Sequence, residues 1–406
     1  MNNEKNSGFT LIELLAVIVI LAIITLIATP IILNIIKDSK EESNKRSIEM
    51  YAKAIENSII KYQMLSNQKI NGAFLSTEDG RLLTQEGRDP LVIEYDGSKI
   101  FCSLVEIYDD GNIFLGNCII NEDETKSYNY GNKRYSNGEV VYFDVKEGTG
   151  CSESDYKEDN SNTGYNGYTN KDENNDEKEK LDIQNSCLKF YAFNDDGSKK
   201  INLLLDHNTT STAFWATYAN GSGPTSSGNN RVINHLKTDT DGWNGTITPK
   251  NYEYKGEVKP YYIVKYDTEE YKYKARLITA NEIARITGAD KALNWKEEYS
   301  ASFYYLDGAK GTNPEWTTQV VGQYKAIKTS EYYWLYDRTS QNCKDNGCLN
   351  NSNLSTYGYW TSSASAKSSS GAWAISAQGI VTSYRVDLNY SYGVRPVIEV
   401  LKEKLY

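Results

Sequence analysis

The sequence Gly8-Phe9-Thr10-Leu11-Ile12-Glu13-Leu14-Leu15 begins an apolar run that continues to Ile36. Glu13 is the only charged residue of that run. An ionised carboxylate is costly in hydrocarbon, so a carboxylate inside a segment of membrane length is a functional hypothesis by default. A plain signal anchor would explain the hydrophobicity of the run. It would explain neither Glu13 nor the short polar leader that ends at Gly8.

The run is long enough for a membrane helix, because roughly 20 apolar residues span a bilayer. Pro30 removes a backbone donor and predicts a bend in this helix. Beyond Lys37, apolar residues recur at helical spacing between polar ones, namely at Ile48, Ala52, Ile55, Ile59 and Tyr62. This spacing is typical of an amphipathic helix. We predict one helix from Phe9 to about Leu65, roughly 85 Å long at about 1.5 Å per residue, whose second half packs on a sheet.

Residues 1–36 resemble the N-terminus of a type IV prepilin. A short leader containing Lys5 ends at Gly8, Phe9 would begin the mature chain, and Glu13 would be its fifth residue. The resemblance implies that a prepilin peptidase cleaves between Gly8 and Phe9 and that the new amino terminus is N-methylated. The subunit would first wait in the cytoplasmic membrane as a single-pass protein. It would then be packed with other pilin subunits into an extracellular pilus.

The same resemblance implies roles in assembly for two residues of the apolar run. Pro30 lies where this family often carries a helix-bending proline. Glu13 would pair with the positive amino terminus of a neighbouring Phe9, and a buried pair of this kind sets register more than it adds stability. Replacing Glu13 or Gly8 by alanine is therefore expected to block assembly.

Composition limits the classes of function. The chain has 406 residues, which is enough for two or three domains. Its net charge of -10 argues against a nucleic-acid partner, because phosphate binding requires basic patches. With 2 histidines and no Cys-x-x-Cys motif, a zinc site is not expected, and we predict no metal or other cofactor. The sequence shows no second membrane span and no wall-anchoring signal.

An even number of cysteines in an exported chain predicts disulfides. The 6 cysteines are Cys102, Cys118, Cys151, Cys187, Cys343 and Cys348. Cys102 and Cys118 lie on predicted strands that flank one turn, which makes them candidate cross-strand partners. Cys151 and Cys187 bracket a polar segment and are candidates to join its ends. Connectivity is not readable from sequence, so these pairings are left open.

A sheet is predicted after the helix. Its candidate strands are residues 91–95, 100–105, 113–118 and 140–145. Asp96-Gly97 is a hairpin signal between the first two runs, and Asp110-Gly111-Asn112 is a turn signal before the third. Residues 152–182 form a polar linker; their stretches 159–168 and 171–180 contain no leucine, isoleucine or valine and cannot bury enough surface to order themselves. We therefore predict a leader at 1–8, a pilin domain at 9–151, this linker, and a second domain at 183–403.

The second domain carries several local signals. Strands are predicted at residues 188–193 and 200–205 around the turn 194–197, a short helix at 230–236, and an extended segment at 261–264. Thr279 and Glu282 have the spacing of a capping box, and Gly288 is placed to end the helix that follows. Ile283 and Ile286 are predicted to face inward. Trp360 and Trp373 are predicted core residues.

This region resembles a group of bacterial surface domains related to the C-type lectin fold and to the formylglycine-generating enzyme. The motifs that carry the resemblance are Leu205-Asp206-His207-Asn208-Thr209-Thr210, Ala275-Arg276-Leu277-Ile278-Thr279-Ala280-Asn281-Glu282-Ile283-Ala284, Tyr359-Trp360-Thr361-Ser362-Ser363, Ala372-Trp373-Ala374-Ile375 and Gly393-Val394-Arg395-Pro396-Val397-Ile398. The resemblance implies an α+β domain whose first and last strands pair. The chain would then be α+β throughout, with a long pilin helix on a small antiparallel sheet followed by a lectin-like domain.

Three kinds of chemistry are weighed for the second domain. Chemistry of the formylglycine-generating type would require reactive cysteines, and Cys343 and Cys348 fit a short structural disulfide better. No motif supports a catalytic triad with His207 or His235, so no catalytic residue is predicted. Residues 239–242 alternate carboxylates before a glycine, as calcium loops do, but lack the distal glutamate, which favours a turn. The sugar-binding motifs of lectins are absent, which leaves sugar recognition open.

Exposed aromatic side chains are the candidate ligand-binding residues. Tyr and Trp give large contact areas at low entropic cost. The candidates are Tyr332, Tyr333, Trp334 and Tyr336, with burial in strands as the alternative. We predict a minor type IV pilin that displays a lectin-like adhesion module to a host or surface ligand, protein or glycan. The alternatives are a pseudopilin of a secretion or DNA-uptake machine, with the second domain as a spacer, and, last, an enzyme.

Overall fold

The computed structural model describes residues 11–121, 123–156, 186–209, 213–215, 232–245, 251–254, 257–260, 275–292, 295, 304–306, 332–336, 358–364, 371–376, 379–385 and 392–405. The chain divides into two compact units, Met1–Lys133 and Arg134–Tyr406.

The first unit is built on a single long helix, α1 (Leu11–Ser66), of 56 residues. At about 1.5 Å per residue it is roughly 84 Å long, as the sequence predicts. The helix continues through Pro30. It ends where Asn67 takes a left-handed conformation with φ 54°, which asparagine tolerates better than most residues.

The second half of α1 packs on an antiparallel sheet with strand order β3-β2-β1-β4-β5-β6. The strands are β1 (Gly72–Ser76), β2 (Leu82–Thr84), β3 (Leu91–Val92), β4 (Ile100–Ile107), β5 (Ile113–Ile120) and β6 (Asp123–Tyr130). The helix buries one stripe against this sheet, made of Ile48, Tyr51, Ala52, Ile55, Ser58 and Ile59. The predicted stripe is therefore confirmed, with Tyr62 partly buried at its end.

One predicted hairpin of this sheet is wrong. Asp96-Gly97 does not join neighbouring strands, because β3 pairs with β2 at the sheet's edge while β4 pairs with β1 and β5. The bend is held instead by Arg81, whose Nη2 donates to the Gly97 carbonyl at 3.2 Å and whose guanidinium lies 5.3 Å from the centre of the Tyr95 ring. The second predicted turn is confirmed: Gly111 has φ 83° between β4 and β5.

The main sheet of the second unit has the order β13-β19-β10-β9-β7-β8. Its strands are β7 (Val140–Asp144), β8 (Thr149–Gly150), β9 (Cys187–Phe193), β10 (Lys200–Leu205), β13 (Arg276–Leu277) and β19 (Pro396–Leu401). The strand at 140–145 exists, but its assignment to the first sheet is wrong. Val141 and Phe143 of β7 instead share a core with Leu188 and Phe190 of β9, which pairs with β7.

A further sheet of the second unit has the order β14-β17-β16-β15-β18. Its strands are β14 (Tyr304–Tyr305), β15 (Gly358–Ala364), β16 (Gly371–Ile375), β17 (Ile380–Arg385) and β18 (Tyr392–Gly393). A separate ribbon joins β11 (Asn251–Tyr254) to β12 (Glu257–Pro260). Trp360 and Trp373 are 0% and 1% exposed, so their prediction as core residues is confirmed.

The helices of the second unit follow the local signals of the sequence. They are α2 (Val232–Asp239), α3 (Ala280–Thr287) and α4 (Ala289–Ala292). Thr279 and Glu282 form the predicted capping box of α3, and Gly288 ends this helix with φ 76°. Ile283 is fully buried and Ile286 packs against the same cluster. The predicted extended segment 261–264 lies outside the described residues.

The strand pairing differs from what the lectin-like resemblance implies. The last strand, β19, pairs with β10 and β13, whereas β9 lies between β10 and β7. The predicted first strand of the domain therefore does not pair with the last one. The architecture of the chain as a whole, a long helix followed by mainly antiparallel sheets, is α+β as predicted.

Candidate functional site

The N-terminal half of α1 is a candidate interaction surface. No residue between Leu11 and Lys40 is buried within the described part of the chain. The large apolar side chains from Leu11 to Ile36 are between 48% and 87% exposed. Such a surface is incompatible with water over this length, so lipid or other protein chains must cover it. Among the described residues, α1 is the one helix long and apolar enough to cross a membrane, with a mean hydropathy of 3.1 in its most apolar window.

Glu13 lies in the first turn of α1. A carboxylate at this end of a helix interacts favourably with the helix dipole. Gly8 and Phe9, the predicted processing residues, lie outside the described residues. The pairing of Glu13 with the amino terminus of a neighbouring Phe9 therefore stays a prediction.

Two threonines of the apolar half form side-chain hydrogen bonds within the helix. Thr25 Oγ1 donates to the Leu21 carbonyl at 2.7 Å, and Thr29 Oγ1 donates to the Thr25 carbonyl at 2.6 Å. Both hydroxyls thus find their acceptors inside the helix, as polar groups in hydrocarbon must. Pro30 follows directly. Side-chain bonds of this type and a proline both favour bending. The helix is continuous through Pro30, and its role as a bending point stays a prediction.

Two of the four candidate ligand-binding aromatics are buried, which contradicts their predicted surface role. Trp334 is 2% exposed and Tyr336 1% exposed, while Tyr332 and Tyr333 are partly buried against the same core. A short 3-10 helix, Tyr333–Leu335, turns these side chains inward. The ring of Trp334 lies 6.0 Å from that of Tyr191 on β9.

A buried arginine explains why this segment turns inward. Arg395 is 0% exposed. Its Nη1 donates to the Tyr336 carbonyl at 2.9 Å and its Nη2 to the Trp334 carbonyl at 2.8 Å. Its Nε also donates to the Leu205 carbonyl at 2.6 Å. One side chain therefore satisfies carbonyls of two distant segments, which makes Trp334 and Tyr336 part of the framework.

The two histidines have aspartate neighbours. Nδ1 of His207 contacts the Asp206 carboxylate, and both side chains are buried. His207 is thus a buried, hydrogen-bonded residue. Nδ1 of His235 lies 3.6 Å from Oδ2 of Asp239. Across the described ranges, His, Cys, Asp and Glu form no group of three or more that could hold a metal ion.

The candidate calcium loop at residues 239–242 forms a turn at the end of α2. Oδ2 of Asp239 accepts a hydrogen bond of 2.8 Å from Thr209 Oγ1. Gly242 closes the turn with φ 76°. The Asp239 carboxylate is therefore engaged in fixing the segment after β10.

Two predicted disulfides are present. Cys102 and Cys118 face each other across β4 and β5, with Cα atoms 3.9 Å apart. Cys151 and Cys187 join the two ends of the polar segment, with Cα atoms 6.1 Å apart. Cys343 and Cys348 lie outside the described residues. The Cys151–Cys187 bond ties β9 to the residues just after β8, within the second unit.

The sequence analysis missed a buried ion pair beside the capping box. Arg276 Nη1 lies 2.8 Å from Oε2 of Glu282, and Arg276 Nη2 lies 2.8 Å from Oε1. Oε2 of Glu282 also accepts from the Thr279 backbone at 2.9 Å. The signal in the sequence was an arginine and a glutamate six positions apart around a cap. It needed the fold to show that Arg276, the first residue of β13, lies against Glu282 in the first turn of α3.

Comparison with known proteins identifies the N-terminal segment. Residues 4–29 match the family model described as a prokaryotic N-terminal methylation motif. Neither curated proteins nor solved structures gave a match to the chain. The motif, together with the exposed apolar helix, supports a type IV pilin or pseudopilin subunit, anchored in the membrane and later assembled at the surface. It likewise supports processing by prepilin peptidase and assembly with other pilin subunits.

Proposed function

We propose that this chain is a minor type IV pilin that carries a binding module on the pilus surface or tip. The proposal rests on one observation: the apolar helix and the hydrophobic clusters of the second unit are separate parts of the chain. In the described part of the first unit, no residue of the apolar half of α1 belongs to the hydrophobic core. The hydrophobic clusters described in the second unit consist of residues of that unit.

The size of the second unit supports low copy number. It extends from Arg134 to Tyr406, and repeating it at every subunit would crowd a helical lattice. A subunit present in few copies carries a domain of this size without disturbing the packing of the pilus shaft. We propose that the second unit binds a surface ligand and does not catalyse a reaction. The side chains of His207 and Asp206 are both buried, which supports this proposal because neither is open to a substrate.

Glu13→Gln tests the assembly step. The variant keeps the size of the side chain and removes its charge, so we expect loss of the protein from sheared pili and its retention in the membrane fraction. Glu42→Gln is the matched control, because Glu42 lies on the same helix beyond the apolar run and is exposed. Quantitative immunoblots of pili and membranes measure both. Equal amounts of the Glu13→Gln protein and the wild type in pili would disprove the assembly mechanism.

Immunogold labelling with antibodies against the second unit separates the remaining roles. Sparse or terminal label on the pilus supports a minor subunit, and dense label along the shaft contradicts it. Absence from pili, with retention in a secretion or DNA-uptake complex, would favour a pseudopilin. A glycan and matrix-protein binding screen of residues 134–406 then identifies the ligand class. The screen starts at Arg134 because β7 and β8 belong to this unit.

A further inference from the structure

A basic pocket lies where α1 leaves its apolar run. The pocket is formed by α1, the edge strand β6 and Ile120 at the end of β5, and it has a volume of about 170 Å³. Its lining includes Lys37, Lys40, Glu41, Asn44, Lys126 and Tyr128. All of these residues belong to the first unit.

The pocket has an excess of positive charge. Three lysines and one glutamate give its lining a net charge of +2. Glu41 is engaged on both oxygens, by Lys126 at 2.8 Å and by Lys45 at 3.3 Å. Hydrogen bonds from Lys126 and Lys45 lower the pKa of Glu41 below its usual value. Glu41 therefore stays ionised near neutral pH and holds Lys126 on the α1 side of the pocket.

Tyr128 adds an uncharged hydrogen-bond donor, its hydroxyl, to the lysines of the pocket. Nδ2 of Asn44 donates to the Tyr128 hydroxyl at 2.9 Å. Because that oxygen accepts from Asn44, its own proton is directed to a different acceptor. Lysine ammonium groups and a tyrosine hydroxyl are all donors. The pocket is thus suited to an anion rich in acceptor oxygens.

The position of the pocket along α1 identifies the source of that anion. The uncharged stretch from Leu14 to Ile36 is roughly 35 Å long at about 1.5 Å per residue, slightly more than the roughly 30 Å of bilayer hydrocarbon. When Glu13 lies at one headgroup layer, Lys37 emerges in the other, with Lys40 about one turn beyond. The pocket therefore lies at the level of the lipid phosphates.

We propose that this pocket binds the phosphate of an anionic membrane lipid while the subunit is held in the bilayer. The inference rests on the membrane-anchored stage of the proposed function. The +2 charge of the lining favours an anionic headgroup over one that also carries an ammonium. Release of this lipid would accompany extraction of the subunit into the filament.

Lipid binding by the full chain in detergent tests the proposal. Native mass spectrometry counts the lipids retained when phosphatidylglycerol or phosphatidylcholine is titrated in. We expect the wild type to bind phosphatidylglycerol at least about tenfold more tightly than phosphatidylcholine. Each lysine near an anionic lipid raises the affinity roughly fivefold. The variant Lys37→Gln/Lys40→Gln/Lys126→Gln is expected to lose at least about tenfold in this affinity by the same reasoning.

The matched control removes the same charge elsewhere. Lys53→Gln/Lys69→Gln/Lys99→Gln changes three exposed lysines of the same unit outside the pocket. This control is expected to bind phosphatidylglycerol as the wild type does. Circular dichroism of all three proteins checks that the fold is retained.

Three outcomes would overturn the proposal: equal affinity for the two lipids, equal losses in the two triple variants, or displacement of phosphatidylglycerol by millimolar inorganic phosphate. The last would show a site for free phosphate in place of a lipid headgroup. Because the measurement uses the isolated chain, it succeeds or fails independently of pilus assembly. Loss of assembly with Glu13→Gln would not alter it.

Discussion

Tyr51 shows how a single residue couples α1 to its sheet. Its side chain is 0% exposed, and its hydroxyl donates to the Gly80 carbonyl at 2.7 Å. Gly80 has φ 71°, and a Cβ there would overlap the carbonyl oxygen of Ile100 and lie 3.1 Å from the Tyr51 hydroxyl. Glycine is therefore required at this position. Burial raises the pKa of Tyr51 to about 12.

This pKa predicts a loss of stability at high pH. The phenol keeps its proton in the folded state up to about pH 12 but loses it near pH 10 when unfolded. The stabilisation is thus fully present below pH 10 and is lost as the pH rises through the folded pKa. The total loss of unfolding free energy between about pH 10 and pH 12 is about 2 to 3 kcal/mol.

Chemical unfolding of residues 37–133 measures this effect, because the fragment keeps every core residue that is described in the first unit. Tyr51→Phe is expected to cost about 1 to 2 kcal/mol near pH 8 through the lost hydrogen bond. It should also weaken the fall in stability between pH 10 and 12. Parallel pH profiles for the two proteins would refute the role assigned to Tyr51.

Residue-level features were predictable from sequence where they are local. The capping box of Thr279 and Glu282 and the end of α3 at Gly288 involve neighbours in the chain. Arg395 was not recognised, because the carbonyls that it satisfies lie 190 and 59 positions away, at Leu205 and Tyr336. For the same reason the inward turn of Trp334 was missed. An aromatic cluster in a sequence does not reveal which buried cation fixes its backbone.

Among the elements, α3 depends on the ion pair that doubles as its cap. Arg276 and Glu282 are both nearly buried, at 3% and 5% exposed. Removing one partner of a buried pair leaves an uncompensated charge, which costs about 3 to 5 kcal/mol. Losing an N-cap hydroxyl costs only about 1 kcal/mol. The charge of Glu282 should therefore matter more to α3 than the hydroxyl of Thr279.

Thermal unfolding of residues 134–406 tests this order. Glu282→Gln is expected to lower the stability more than Thr279→Ala does, and Thr279→Ser should stay near the wild type. In the background Arg276→Met, Glu282→Gln should cost much less, because the uncompensated charge is gone. If Thr279→Ala lowers the stability as much as Glu282→Gln or more, the cap is at least as important to α3 as the ion pair.

Strands were predicted correctly where a turn joins two strands that pair with each other. Asp110 to Asn112 joins β4 to β5, and residues 194–197 join β9 to β10. The prediction failed at Asp96-Gly97, where a good turn sequence is bound by Arg81 and the preceding strand pairs elsewhere. Turn chemistry specifies a bend, but the partner of a strand is decided by which face of it must be buried.

The division of the whole molecule was the hardest feature to predict. Composition identified the polar segment after Cys151 as the boundary, whereas the compact units divide at Lys133. The strand β7 lies before the polar segment and pairs with β9 beyond it. The Cys151–Cys187 bond connects the same two regions. A boundary based on composition therefore separates strands that the fold unites, because composition does not record long-range pairing.

This division predicts how the second unit behaves when it is cut from the chain. A fragment of residues 134–406 keeps all six strands of the main sheet and both partners of the Cys151–Cys187 disulfide. A fragment starting at residue 183 loses β7 and β8, exposes the edge of β9 and leaves Cys187 unpaired. An uncovered edge strand promotes association between chains. We expect the longer fragment to be monomeric and to unfold cooperatively, and the shorter one to aggregate.

Size-exclusion chromatography and thermal unfolding of the two fragments measure the difference. Cys187→Ser in the shorter fragment is the control, since it removes intermolecular disulfides through Cys187 without restoring the missing strands. If this variant is monomeric, the free thiol and not the exposed edge caused the association. If the shorter fragment itself unfolds as cooperatively as the longer one, β7 and β8 are dispensable and the unit begins near Ile183. The proposed binding module would then be smaller than the compact unit that contains it.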